Sequence, residues 1–196
     1  MQSSHTIKRS AALHVPGEPE LWILILADLV IFSIFFIVFM HNGTLNAELF
    51  NNTKVELNQL LGLTNTVVLL TSSWFVVTGF WFIRANQLKA AKRFYCLAFA
   101  MGWVFFVIKI FEYTEKFSAG VNVSDNIFYL YYFSFTGVHL LHVTIGMLCL
   151  LSIIRRCDKA SISHNDFVFT ESVGVYWHLV DVLWIFLFCL IYLIKF

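Results

Sequence analysis

The sequence predicts an all-α polytopic membrane bundle of five transmembrane helices, with the amino terminus cytoplasmic and the carboxy terminus outside. Three observations carry that prediction. Hydrophobic residues make up 59% of the 196 and charged residues only 13%, about half the charge of a soluble domain, and mean hydropathy is +0.77. Five segments are long and apolar enough to cross hydrocarbon, which takes about 20 residues at 1.5 Å each. Lysine and arginine gather on alternate connections, which orients the chain.

Residues 1–20 read as a polar cytoplasmic segment. They hold both prolines, and Pro16-Gly17-Glu18-Pro19-Glu20 reads as a helix start. Proline is tolerated in a first turn, and Glu there meets the positive end of the helix dipole. Residues 21–196 form a single membrane domain with spans at about 21–40, 61–83, 95–113, 127–154 and 172–194. The first apolar run is too long for a signal-peptide core, follows a polar segment and precedes no small-residue cleavage site. The connection at about 41–60 is polar and reads as a loop. The second span carries Asn65, Thr66, Thr71, Ser72 and Ser73, small or amide-bearing residues suited to close packing and interhelical hydrogen bonds. The fourth span is long enough to tilt or protrude. No internal repeat and no soluble domain are apparent.

Lys8 and Arg9 precede the first span; Arg84, Lys89, Lys92 and Arg93 follow the second; Arg155, Arg156 and Lys159 follow the fourth. The other side holds Lys54, Lys116 and Lys195. This bias places the amino terminus inside. Trp22, Trp81 and Trp177 fall near the inner ends of their spans, where an aromatic belt is expected.

Orientation turns position into depth. At 1.5 Å per residue, Asp28 lies about 10 Å from the inner end of its span, His178 and Asp181 about 9 and 14 Å, and His142 and His139 about 18 and 22 Å. Glu112 lies near the outer end of the third span, one turn from Lys109. His139 and His142, His178 and Asp181, and Lys109 and Glu112 are all i, i+3 pairs, so each pair is expected on one helix face. Phe135, His139, His142, Gly146 and Cys149 form one stripe. Ionisable groups in hydrocarbon are expensive, about 2.5–3.5 kcal/mol for a charge at mid-helix on insertion scales. The two histidine faces and Asp28 are therefore expected to turn toward protein.

Three chemistries could use such a set. Imidazoles from two helices can hold haem or a pair of metals, but the bis-histidine pattern is poor and carboxylates are few. Asp28, the histidines and Asp181 could relay protons. The reading that outweighs both is structural: Asp28, Asn65, Glu112, His139, His142, His178 and Asp181 as buried polar groups that fix helix packing or hold lipid headgroups. For Asp28 the structural reading is a hydrogen-bonded packing group; for Glu112 it is a Lys109 partner or water.

Cys96, Cys149, Cys157 and Cys189 show no paired spacing and read as free thiols. The net charge of +1 gives no sign of a nucleic-acid partner. Asn42-Gly-Thr, Asn51-Asn-Thr and Asn122-Val-Ser match the glycosylation pattern and, in a bacterial chain, are chance matches. No phosphate loop, zinc spacing, nucleophile elbow or dinucleotide fingerprint is present, and nothing resembles an active site made by this chain alone.

Four motifs together resemble one family. They are Thr136-Gly137-x-His139-x-x-His142-Val143-x-x-Gly146, Tyr176-Trp177-His178-x-x-Asp181-x-x-Trp184, Asn65-Thr66…Leu69-Leu70-x-Ser72-Ser73, and Phe111-Glu112-Tyr113. From about Pro16 to Ile194 the chain resembles subunit III of haem-copper oxidases in its short five-helix form. Pro16-Gly17-Glu18-x-x-Leu21-Trp22 and Lys109-x-Phe111-Glu112-Tyr113-x-Glu115-Lys116 are most similar to the branch of nitric-oxide-reductase accessory protein E; oxidase subunits usually carry a neutral residue where Lys109 stands.

The resemblance implies a subunit without haem or copper that packs on a haem-containing catalytic membrane subunit, holds phospholipid in an interhelical cleft and supports sustained turnover. The family's buried carboxylate falls on Asp28, and its embedded Glu and His positions on Glu112, His139, His142 and His178. The expected function is a non-catalytic subunit in the bacterial inner membrane, as nitric oxide reductase accessory protein in denitrification. The alternatives are subunit III of a proton-pumping aerobic terminal oxidase and, more remotely, a haem-binding membrane anchor.

Overall fold

A computed structural model describes residues 17–159 and 161–196. Lys8, Arg9 and Pro16, and most of the expected amino-terminal segment, lie outside the described residues. Six α-helices follow in order: α1 (Pro19–Leu45), α2 (Ala47–Val55), α3 (Gln59–Arg84), α4 (Leu88–Ser118), α5 (Ile127–Arg156) and α6 (His164–Phe188). A π-helical turn over Cys189–Leu193 ends α6. No strand occurs among the described residues. Five of the helices have the length and apolarity of membrane spans.

The spans run longer than the apolar segments that announce them. α4 gains Leu88–Phe94 and Thr114–Ser118, and α6 gains His164–Glu171. Helical hydrogen bonding continues past the hydrocarbon boundary, where charged side chains reach water. Local signals fix several ends. α1 starts with Glu18 as cap, Pro19 in the first turn and Glu20 next to it. Asn58 accepts from the amides of Leu60 and Leu61, and Ser163 forms a capping box with Asp166. The α3–α4 turn closes on Asn86 in the left-handed region, φ 57°, with its amide and that of Gln87 returning to Ile83 and Phe82. Asparagine tolerates this conformation better than most residues. The expected loop at 41–60 is mostly helical: α1 runs on to Leu45 and α2 follows. Its polar sequence has no apolar stripe from which a helix could be read.

α3, α4, α5 and α6 form a four-helix bundle in which α6 is central and the most buried. α1 stands at its side, least buried of the five spans. It is fastened at three levels. At one end the Gly17 amide donates to Glu171 and the Glu18 amide to Ser172. At mid-height Asp28 meets His142. At the other end Phe39 packs among Phe50, Phe128, Phe135 and Phe196. There α2 also ties down the last residues of the chain. Asn51 donates to the Phe196 carbonyl at 2.6 Å and accepts from its amide, Lys54 donates to the Ile194 carbonyl, and Lys116 to that of Glu56. Burial, with the Lys195 charge adding to it, holds the Lys54 ammonium below the usual lysine range.

Arg84, Lys89, Lys92, Arg93, Arg155, Arg156 and Lys159 lie at one end of the bundle, since successive spans alternate direction. Lys92–Asp158, Arg156–Asp166 and Lys159–Asp166 ion pairs join the connections there. Trp177 is not a belt residue: it is fully buried, its ring against Gly146 and Gly102. Only small residues leave room for an indole between α4 and α5.

Candidate functional site

The polar groups that the sequence places in the spans fall into three separate settings. The first is the buried heart of the bundle. Lys109 and Glu112, one turn apart on α4, are each about 1% exposed and pair at 2.8 Å. Lys109 Nζ also donates to the Tyr192 hydroxyl at 3.1 Å, which donates to Glu112 Oε1 at 2.5 Å. The ammonium sits 4.9 Å from the centre of the Trp184 ring and 5.3 Å from that of Tyr132. Aromatic faces attract a desolvated cation, so the pair is both hydrogen-bonded and caged. Tyr113 on the same helix bonds Thr136 Oγ1 at 2.5 Å; Thr136 donates to the Tyr132 carbonyl, which leaves Tyr113 as the donor between them. The Lys109 partner expected for Glu112 is present. Tyr132, Trp184 and Tyr192, which complete the cage, carry no signal of that role in the sequence.

His139, Asn65 and Asp181 share this interior. All are buried, and neither nitrogen of His139, neither polar atom of the Asn65 amide and neither oxygen of Asp181 has a hydrogen-bond partner within the described residues. The His139 ring lies against Phe105 and Trp184, with centroids 5.6 and 5.2 Å apart. On α3, Ser72 donates to the Ala98 carbonyl at 2.9 Å, and Thr66 accepts from Trp184 Nε1 at 3.0 Å. Thr71 instead bonds back to Val67 within its own helix.

The second setting lies between α1 and α5. His142 Nε2 is 3.2 Å from Asp28 Oδ2, and both side chains are largely covered. Phe32 packs edge-on to the imidazole, and the Tyr176 hydroxyl donates to the His142 carbonyl. Asp28 thus faces protein, as expected. His139 and His142 do not share a destination: one enters the bundle and the other turns toward α1. The stripe from Phe135 to Cys149 is split between two interfaces, because residues three apart differ by about 60° around a helix.

The third setting corrects an expectation. His178 is exposed while Asp181 is buried. The same 60° offset carries His178 to the outer edge of the α3–α6 contact, where its Nδ1 lies 2.5 Å from Ser73 Oγ. The pair therefore does not present one inward face. Among the described residues no three histidine, cysteine, aspartate or glutamate side chains converge as metal ligands. Asp28 and His142 are two side chains, fewer than the three such a site takes.

A grooved surface accompanies the second setting. Near the basic end, Leu21 and Leu24 of α1, Ile145 and Cys149 of α5, and Val173 and Tyr176 of α6 line a cavity of about 320 Å³. A second, of about 440 Å³, lies between Ile34, Phe35 and Val38 of α1 and Leu130, Tyr131 and Ser134 of α5. Both are largely apolar, though Glu18, Glu20 and Ser172 also line the first, and both are left because α1 meets the bundle at three levels rather than along its length.

The chain as a whole is similar to known proteins. Residues 2–195 match the family model described as cytochrome c oxidase subunit III. The chain is 34% identical over 140 residues to cytochrome c oxidase subunit 3 of Synechocystis sp., covering 71% of this chain and 59% of that relative. It is 34% identical over 148 residues to the same subunit of Thermostichus vulcanus, covering 73% and 69%. It is 27% identical over 176 residues to cytochrome bo(3) ubiquinol oxidase subunit 3 of Buchnera aphidicola, covering 88% and 84%. The chain therefore spans less than two thirds of the Synechocystis relative's length and most of the Buchnera one.

Proposed function

The chain belongs to the cytochrome c oxidase subunit III family and is a multi-pass inner-membrane protein, and from that premise we propose that it is the third subunit of a terminal oxidase. In this reading it is non-catalytic. It packs beside a haem-containing catalytic subunit and sustains that subunit's turnover. The supporting observation is the match over residues 2–195 together with relatives named as subunit 3 of both cytochrome c and ubiquinol oxidases. This favours the oxidase over the nitric oxide reductase accessory role expected above. No haem or metal is assigned to this chain. Its polar interior consists of an ion pair inside an aromatic cage and side chains embedded among apolar ones, an arrangement that serves packing. The basic end is the cytoplasmic end, which puts the carboxy terminus outside. The slots between α1 and the bundle accept phospholipid chains.

A second reading rests on Lys109. The resemblance places a neutral residue there in oxidase subunits, and here a buried lysine is paired with Glu112. That feature favours the accessory protein of a nitric oxide reductase, built on the same fold. Deletion of the chain separates the two. The oxidase reading expects oxygen consumption by isolated membranes to decline during turnover, with nitric oxide consumption intact. The reverse pattern establishes the accessory reading, and unchanged rates of both overturn the two together.

A further inference from the structure

Among the described ionisable side chains near mid-span, His178 alone is exposed; Asp28 and His142 face each other, and Lys109, Glu112, His139 and Asp181 are buried. It borders a groove of about 210 Å³ between Val76, Val77 and Phe80 of α3 and Gly174, Val175 and His178 of α6, with Glu171, which accepts from the Gly17 amide, also lining it. Gly174 forms a notch in this groove: a Cβ there meets nothing nearer than Val76 Cγ1 at 3.9 Å. Ser73 engages Nδ1 of the imidazole, which leaves Nε2 as the ring nitrogen with no partner in that contact. Ser73 lies eleven residues before Arg84, so the ring sits about 16 Å below the basic end of α3, near the middle of a core about 30 Å thick. That is deeper than the about 9 Å expected from a span beginning at residue 172, because α6 begins at His164. A lipid headgroup does not reach that depth, and acyl chains offer an imidazole no hydrogen bond.

A second observation marks the same face. Trp74, beside Ser73 on α3, is 62% exposed at nearly the same depth. Tryptophans that face lipid gather at the two membrane surfaces, whereas an exposed indole at mid-depth suits a protein contact, where tryptophan is enriched. Val77 and Trp81 continue the exposed stripe.

We propose that the α3/α6 face at His178 docks a transmembrane helix of the catalytic partner, with a hydrogen-bonding side chain on His178 Nε2 and an apolar side chain in the notch at Gly174. This rests on the subunit reading given above. Small residues let helices approach closely in membranes, and polar side chains bond across them; Gly174 and His178, one turn apart, supply one of each.

Site-specific photo-crosslinking tests it. A benzophenone amino acid is placed at Val77 or Val175 in the tagged full-length chain, with Leu148 on α5, exposed on another helix, as control. Crosslinking is done in native membranes, and haem absorbance of the purified preparation reports whether the partner is present. The expected result is an adduct with the haem-bearing polypeptide from positions 77 and 175, and lipid adducts from 148. Gly174→Leu and His178→Ala are each expected to lower the haem recovered per chain, by about tenfold for the leucine, the equivalent of 1.4 kcal/mol. Adducts from 77 and 175 only with lipid or a second copy of the chain, in preparations that still carry haem, overturn the docking face and leave the subunit reading standing. Preparations without haem overturn the subunit reading and the docking face with it. The crosslink leaves Gly174 and His178 in place, so a variant of either that fails to fold does not decide the outcome.

Discussion

His142 Nε2 lies 3.2 Å from Asp28 Oδ2, while Nδ1 of the same ring lies 2.9 Å from the Val138 carbonyl. A carbonyl only accepts, so Nδ1 carries hydrogen and donates. The contact on the other side is then favourable only with a hydrogen between nitrogen and carboxyl, on whichever atom it resides. This pair is the mid-height fastening of α1 to the bundle. Replacing Asp28 with Ala, or His142 with Ala, is expected to destabilise the chain by about 1–2 kcal/mol, the upper range for interhelical polar contacts in membranes. The two together are expected to cost little more than either. Unfolding in mixed detergent micelles measures this; full additivity in the double variant contradicts direct coupling.

The caged pair predicts a sharper pattern. Glu112→Gln or Lys109→Met each leaves a buried partner uncompensated, at about 3–5 kcal/mol. Lys109→Met with Glu112→Leu removes both charges and is expected to recover most of that loss. A double variant as unstable as the sum of the singles contradicts the pairing.

Glycines divide by what stands over them. A Cβ at Gly146 meets the Trp177 ring at 2.7 Å, while one at Gly137 meets nothing within 4 Å. Gly146→Ala is expected to destabilise by about 1–3 kcal/mol through overpacking. Gly137→Ala, with helix propensity in its favour by about 1 kcal/mol, is expected to be neutral or stabilising in the isolated chain. Thermal unfolding of the two variants side by side decides it, and a reversed order contradicts the packing around Trp177.

Cys157 lies just past the end of α5, buried, and burial pushes its thiol up to about 11. The thiolate is the reactive form. At neutral pH a membrane-permeant maleimide is expected to label exposed Cys96 and to reach Cys157 only after unfolding. Rapid labelling of Cys157 in the native chain contradicts its placement.

The five spans were legible because each holds about twenty or more largely apolar residues, and basic residues mark the alternate connections. The facing of individual residues was harder to read. In a soluble helix an apolar stripe marks the buried side, but here core and lipid are both apolar and the stripe vanishes. His178 and Asp181 share a turn, and only the positions of α3 and α5 around α6 send one outward and the other in. Tyr192 and Trp184 joined Lys109 for the same reason: nothing in an aromatic residue of an aromatic-rich span says which neighbour it meets. α2 was missed because its polar sequence needs α5 and the carboxy-terminal residues to hold it. The Lys109–Glu112 pair was legible, since two opposite charges one turn apart in an apolar span have few other partners.

On the subunit reading this chain serves another subunit's haem and holds none. Its direct test is the partition of haem. The tagged chain is purified with its partner under mild detergent, the two polypeptides are separated, and haem absorbance is read on each. Haem is expected in the complex and in the partner fraction, with a colourless chain. Haem that stays with the isolated chain, or a purified chain that never brings haem with it, contradicts the subunit reading.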